Sequence, residues 1–209
     1  MPLDLETQLI PADHSEAIPA AVEVLCSGGL VAFPTDTVYG VGSLVFIQAA
    51  VESIYAAKDR PVEKAIPVLL GDVDDLAKVT AFVPEMALTL AARFWPGPLT
   101  LVVPKHPDLP EAISATPTVG VRVPDHAVAR ALLRAAGPLA VTSANRSGQP
   151  SPRTAQEVIA QLGGRIALVI DGGQTPGGVP STVVNCLGAE PQVLREGPVS
   201  AEQIRALFP

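Results

Sequence analysis

The sequence is poor in the residues that most often announce a reactive site. Among 209 residues there are two cysteines and three histidines. Cys26 and Cys186 lie far apart and outside any C-x-x-C, which excludes a disulfide scaffold and a dithiol redox motif; two buried thiols in a reducing cytosol are expected instead. His14, His106 and His126 are isolated from one another and from the cysteines, so a zinc site lacks its ligands and each reads as a surface histidine. Basic residues are scarce too, 14 against 21 acidic ones for a net charge of −7, which argues against a protein that holds bare nucleic acid by its phosphates. No uncharged apolar run approaches the roughly 18 residues of a membrane-spanning helix. The acidic start, MPLDLETQLIPADHSE, has no basic region followed by an apolar core and reads as no secretory signal. No G-x-x-x-x-G-K-[ST] occurs, which excludes a P-loop. Gly40-Val41-Gly42 lacks both the third glycine of a dinucleotide fingerprint and its ribose-binding acid. Gly-x-Ser-x-Gly, the usual mark of a serine hydrolase, is missing as well. Asn145-Arg146-Ser147 fits a glycosylation sequon without consequence in a cytosolic chain.

What is present is apolar mass and punctuation. Apolar residues make up 48% and charged residues 17% of the chain, enough for one sizeable core. Helical and strand periods alternate. Ser15 is expected to cap a helix carrying Ile18, Ala21, Val22 and Leu25, which Gly28-Gly29 ends. Further helices are expected over Ile47–Lys58, Pro84–Phe94, Ala127–Ala136 behind an Asp125 cap, Thr154–Leu162, and a short one after Ser200. Strands are expected at Leu30–Phe33, Ala65–Leu70, Leu99–Pro104, Val119–Val123, Leu139–Thr142, Ile166–Ile170, Thr182–Cys186 and Gln192–Leu194. Several strands follow one another without a helix, which predicts a mixed α/β sheet rather than a doubly wound parallel one. No repeat or internal linker divides residues 1–209, so a single domain is expected.

Polar clusters recur just after the strands. VAFPTDTVYGVG turns from a buried strand, Val31-Ala32-Phe33, to a stretch bearing Thr35, Asp36, Thr37 and Tyr39. Lys58-Asp59-Arg60 with Lys64, Thr118 through Arg122, Thr142-Ser143-Ala144-Asn145, Ser181-Thr182 and Arg195 repeat the pattern. Taken singly, such hydroxyl and amide residues are those that cap helices and close turns. Lys58-Asp59-Arg60 alone is a solvated helix end, where cations suit the dipole. Taken together, they are loops converging at the ends of strands, where open α/β sheets bind ligands. A cationic pocket on an acidic protein points to small anionic ligands.

In order, PTDTVYGVG, KDRPVEKAIPVLL, FWPGPLTLVV, TVGVRVPDH, VTSANRSGQPSP, PSTVV and LREGPV resemble the threonylcarbamoyl-AMP synthase family, the YrdC-like proteins, over about residues 15–199. The resemblance implies a twisted mixed sheet flanked by helices around a concave basic cavity, in the short single-domain form. It implies a cytoplasmic nucleotidyltransferase. L-threonine, bicarbonate and ATP, with Mg²⁺ accompanying the ATP and no metal held by the protein, would give threonylcarbamoyl-AMP and pyrophosphate. A downstream enzyme would pass the threonylcarbamoyl group to adenosine in tRNA.

Carried over by position, the resemblance implies Thr37, Arg122, Ser143 and Ser181 at threonine, with Tyr39 nearby. It implies Arg60, Lys64, Thr118, Asn145 and Arg195 at ATP, with Lys58 and Arg60 of the K-x-R motif in catalysis. Leu69 departs from the pattern, standing where many relatives carry histidine. Two other readings of the same motif set are an RNA-binding or ribosome-associated module, with at most a weak RNA contact, and a carbamoyl-transfer domain of larger hydrogenase-maturation proteins.

Overall fold

Periods of two and of 3.6 become strands and helices in the computed structural model, which describes residues 5–177 and 179–208. The strands are β1 (Gln8–Pro11), β2 (Val31–Phe33), β3 (Gly40–Leu44), β4 (Val68–Leu69), β5 (Leu99–Pro104), β6 (Thr118–Arg122), β7 (Leu139–Ser143), β8 (Leu168–Asp171), β9 (Thr182–Asn185) and β10 (Gln192–Arg195). The helices are α1 (Ala17–Cys26), α2 (Gln48–Lys58), α3 (Leu76–Val79), α4 (Glu85–Phe94), α5 (Ala127–Ala136), α6 (Ala155–Leu162) and α7 (Ala201–Arg205). All ten strands join one sheet in the order β1-β8-β2-β3-β7-β4-β6-β5-β9-β10. Four parallel pairs (β1/β8, β2/β8, β4/β6, β5/β9) are combined with five antiparallel ones, the mixed sheet that consecutive strands without helices predict.

The two faces of the sheet are covered unequally, and this makes room for a site. On one face Leu101, Val121 and Val184 pack with Ile54 of α2, Leu90 of α4 and Ile204 of α7 in the larger core cluster. On the other, Ala17, Ala21 and Leu25 of α1 and Leu132 and Leu133 of α5 cover Phe33, Val141 and Ile170, and no residue of β5, β6 or β9 joins that cluster. Because side chains alternate along a strand, Thr100, Val102, Gly120, Arg122 and Val183 face away from the larger core. Their stretch of sheet is left open beside α1 and α5.

The structure corrects several local expectations. Neither Ser15 nor Asp125 caps its helix: Glu16 and His126 hold the cap positions, without a side-chain bond. Thr154 and Ser200 do cap, Ser200 through a reciprocal box with Gln203. The expected strand at Ala65–Leu70 shrinks to Val68–Leu69, whose ladder is shared by β6 and β7. The strands β1 and β3 and the helix α3 had no counterpart in the sequence reading. Cys186 is buried but Cys26 is exposed, at the solvent end of α1. His126 is not a surface histidine in full, since its Nδ1 is buried without a hydrogen-bond partner. Lys58 is 1% exposed, so it is not a solvated helix end.

Candidate active site

The open half of the sheet holds a cavity of about 340 Å³, within the usual range of small-molecule sites, roughly 300–1,000 Å³. Gly40 and Gly120 form part of its floor. A Cβ on Gly40 would stand 2.7 Å from Val141 Cγ1, and one on Gly120 would stand 3.1 Å from Thr100 Cγ2, so glycine keeps these strands close and the space above them open. The described lining carries three arginines, Arg60, Arg122 and Arg195, and no carboxylate. Hydroxyls come from Thr35, Thr37, Thr100, Ser143 and Ser181 among others, and an apolar wall from Pro67, Leu69 and Val141.

Each arginine is set by backbone carbonyls. Arg122, 6% exposed at the end of β6, donates from Nε to the Gly97 carbonyl at 2.9 Å and from Nη1 to Thr37 Oγ1 at 3.2 Å, and pairs through Nη2 with Asp36 Oδ1. Arg195 donates from Nε and Nη2 to the Ser181 carbonyl at 3.1 and 2.8 Å. Arg60 donates from Nε to the Lys64 carbonyl at 3.2 Å and from Nη2 to that of Ala65 at 2.9 Å. Burial lowers the pKa of all three, and Arg195 adds a repulsion at Arg122. Crowded, partly desolvated cations are a cost to the empty fold that an anionic ligand relieves.

The loop after β2 is closed by a hydroxyl. Thr35 Oγ1 accepts from the amides of Thr37 and Val38, at 3.2 and 3.3 Å, and donates to the Val38 carbonyl at 2.7 Å. This turns Thr37 toward Arg122. Ser181 Oγ is 2.8 Å from Thr100 Oγ1 on the next strand.

Of the residues expected at the site, Thr37, Arg60, Arg122, Ser143, Ser181 and Arg195 line this one cavity, and Leu69 lines it as well. Four expected residues do not. Lys58 lies beneath the lining, its ammonium donating to the carbonyls of Ser143 and Asn145; burial, then Arg60, pushes its pKa down to about 7. Asn145 accepts from Ser143 Oγ and donates to the carbonyls of Arg146 and Gln149, at 2.7 and 2.8 Å, holding its own loop. Thr118 shares the cavity face of β6 with Gly120 and Arg122 one pleat further out, in a hydroxyl chain with Thr116 at 2.8 Å. Lys64 is exposed outside the lining.

Tyr39 points the other way. Its hydroxyl donates to the Gly173 carbonyl at 2.8 Å, and burial drives its pKa up to about 12. Sequence reasoning passed over Thr100 and the role of Asp36. A threonine at an alternate position among Leu99, Leu101 and Val103 was the available signal for the first.

Comparison with known proteins agrees with this architecture. The model of the Sua5–YciO–YrdC family, described as telomere recombination, matches residues 23–197. The threonylcarbamoyl-AMP synthase of Bacillus subtilis is 46% identical over 194 residues, covering 91% of this chain and 56% of the relative. A putative threonylcarbamoyl-AMP synthase of Mycobacterium tuberculosis is 42% identical over 195 residues, covering 93% and 90%. The crystal structure of P. abyssi Sua5 complexed with L-threonine superposes with a TM-score of 0.91 at 39% identity, over 97% of this chain and 60% of that one. The chain thus spans little more than half the length of some relatives and nearly all of others.

Proposed function

The chain belongs to the Sua5–YciO–YrdC family, and from that premise we propose that it is an L-threonylcarbamoyladenylate synthase. The observation that carries the reading is a cavity lined by three arginines and several hydroxyls with no described carboxylate, in a fold whose relatives include one solved with L-threonine. In the reaction, the threonine amine and bicarbonate condense to a carbamate with loss of water. A carbamate oxygen then attacks the α-phosphorus of ATP, the bond to the bridging oxygen breaks, and pyrophosphate leaves with the electron pair.

Both partners in that attack are anionic, so positioning and positive charge supply most of what is needed. Arg122, beside Thr37, takes the threonine carboxylate, for which a planar fork of donors suits better than an ammonium. Ser143 and Ser181 complete the amino-acid side, with Leu69 and Val141 against its methyl group. Arg60 and Arg195 face the phosphates. Asn145, Lys64 and Thr118 belong to the nucleotide side in this reading, Asn145 through the loop it holds and the other two from the rim. Lys58 acts from beneath by fixing Ser143. Mg²⁺ arrives as part of the ATP substrate. No described helix is long and apolar enough to cross a membrane, and a cytoplasmic enzyme handing its product to a tRNA-modifying partner completes the proposal.

The test is incubation with labelled bicarbonate, L-threonine, ATP and Mg²⁺. A labelled adenylate and pyrophosphate should form only when all three substrates are present. Cleavage of ATP to ADP and phosphate at the same rate without threonine would sink the assignment.

A further inference from the structure

Of the three described cavity arginines only Arg122 uses all three of its guanidinium nitrogens, and its one charged partner, Asp36, does not line the cavity. Asp36 stands in the loop after β2 with its side chain 13% exposed. One carboxylate oxygen pairs with Arg122 Nη2, while the other, Oδ2, is buried with no hydrogen-bond partner. A carboxylate held this way gives up water for a single partner. That is costly unless the partner gains by it.

Arg122 does gain. It is buried, it feels the positive charge of Arg195, and its Nε and Nη1 are satisfied only by neutral acceptors. Without Asp36 the guanidinium would be an uncompensated charge in the sheet. We infer that Asp36 is the positioning residue for Arg122: it neutralises the guanidinium from behind and fixes its plane, so that the remaining donors face the cavity in a carboxylate-reading pose.

This rests on the reading that Arg122 receives the amino-acid carboxylate. The loop geometry supports a purpose beyond packing. Thr35 Oγ1 pins the amides of Thr37 and Val38, so Asp36 and Thr37 approach the guanidinium from adjacent positions of one fixed turn, one by charge and the other by hydroxyl. A merely structural ion pair would need no such register with a cavity-lining residue.

The experiment is calorimetric titration with L-threonine and with L-threonine amide, which lacks the carboxylate charge, alongside the KM for ATP. The wild type should bind threonine at least about tenfold more tightly than the amide, as one charge-assisted contact implies. Asp36→Asn, equal in shape, should weaken threonine about tenfold, narrow the acid-to-amide ratio towards one, and leave the ATP KM within about twofold. Asp36→Glu, which keeps the charge, should restore most of the ratio. An Asp36→Asn protein with the wild-type ratio, or one that loses ATP and threonine alike, would overturn the positioning role. Wild-type protein binding neither compound would instead overturn the substrate reading on which it rests.

Discussion

The ammonium of Lys58, at the C-terminal end of α2, donates to the carbonyl of Ser143 at the end of β7, and a second bond reaches the carbonyl of Asn145. The clamp is reciprocal, since the Ser147 amide donates to the Lys58 carbonyl at 2.8 Å. A charged side chain is thereby used as an internal strut, joining the helix that leads to Arg60 with the strand end that carries Ser143 and the loop that follows it.

Lys58→Met should therefore damage activity without touching a ligand. Two carbonyls lose their donor, at about 1–3 kcal/mol each, while the cost of burying an ammonium disappears. The two largely cancel in stability near neutral pH, but the loop after β7 is released. The threonine KM should rise several-fold with the urea midpoint at pH 7 changed little. A wild-type KM in a folded variant would show that the strut does not set Ser143.

The same lysine gives stability a distinctive pH dependence. Burial holds its pKa near 7, against 10.5 for a free lysine, so between those values the unfolded chain binds more protons and stability rises with pH. Below pH 7 both states are charged and the full cost of burial remains. Cys186 and Tyr39 act oppositely. Burial pushes each up to about 12, from 9.0 and 10.0, so stability falls once the unfolded thiol and phenol ionise. The urea midpoint should climb from pH 7 to about 9, at no more than ~1.4 kcal/mol per pH unit, level off while the Lys58 and Cys186 contributions cancel, and decline above about pH 10, where Tyr39 adds to the loss. Lys58→Met should flatten the climb. A wild type whose midpoint fell steadily from pH 7 would contradict it.

How far the sequence revealed all this follows from what each segment has to show. The helix Ala127–Ala136 and the strand Leu99–Pro104 were readable to the residue because their apolar positions repeat strongly and turn residues bound them. Strand β3 was hidden: its glycines face Val141, where a side chain would collide, so no strand-forming pattern remains at those positions. Strand β1, four residues long and largely exposed, is too short for Leu9 and Ile10 to set a readable period. At the site, Thr37 and Arg122 were each visible as polar residues at strand ends. Their contact across 85 positions was not, because no local pattern encodes it. Lys58 misled, since three cations within seven positions look like surface until the fold buries one.

Thr100→Val tests whether the hydroxyls of β5 and of the residue preceding β9 are arranged or incidental. The swap keeps volume and removes the 2.8 Å bond to Ser181 Oγ in a buried setting. Stability should fall by about 1 kcal/mol. Ser181 retains its weaker bond from Arg195 Nη2 at 3.3 Å, so threonine affinity should drop only a few-fold and ATP affinity should hold. Urea titration with substrate KM values would decide, and a loss confined to ATP would place Ser181 on the nucleotide side.

Arg60 and Lys64 separate cavity chemistry from surface charge within one short loop. Lys64 is exposed and its side chain lies outside the lining, so Lys64→Ala should shift stability by no more than about 0.5 kcal/mol and turnover modestly. Arg60 lines the cavity while two carbonyls of that same loop hold its guanidinium. Removing it takes positive charge from where two anions must meet, an effect larger in the transition state than in either ground state. Arg60→Ala should lower kcat by about 100-fold and raise the ATP KM. Its urea midpoint should change far less, because losing the two loop bonds is offset by removing a partly desolvated cation that repels Lys58. Arg60→Lys should recover only part of the rate, since an ammonium cannot both span the loop carbonyls and present a planar fork. Unchanged turnover in Arg60→Ala would remove the phosphate role from this side of the cavity and leave Arg195 to carry it alone.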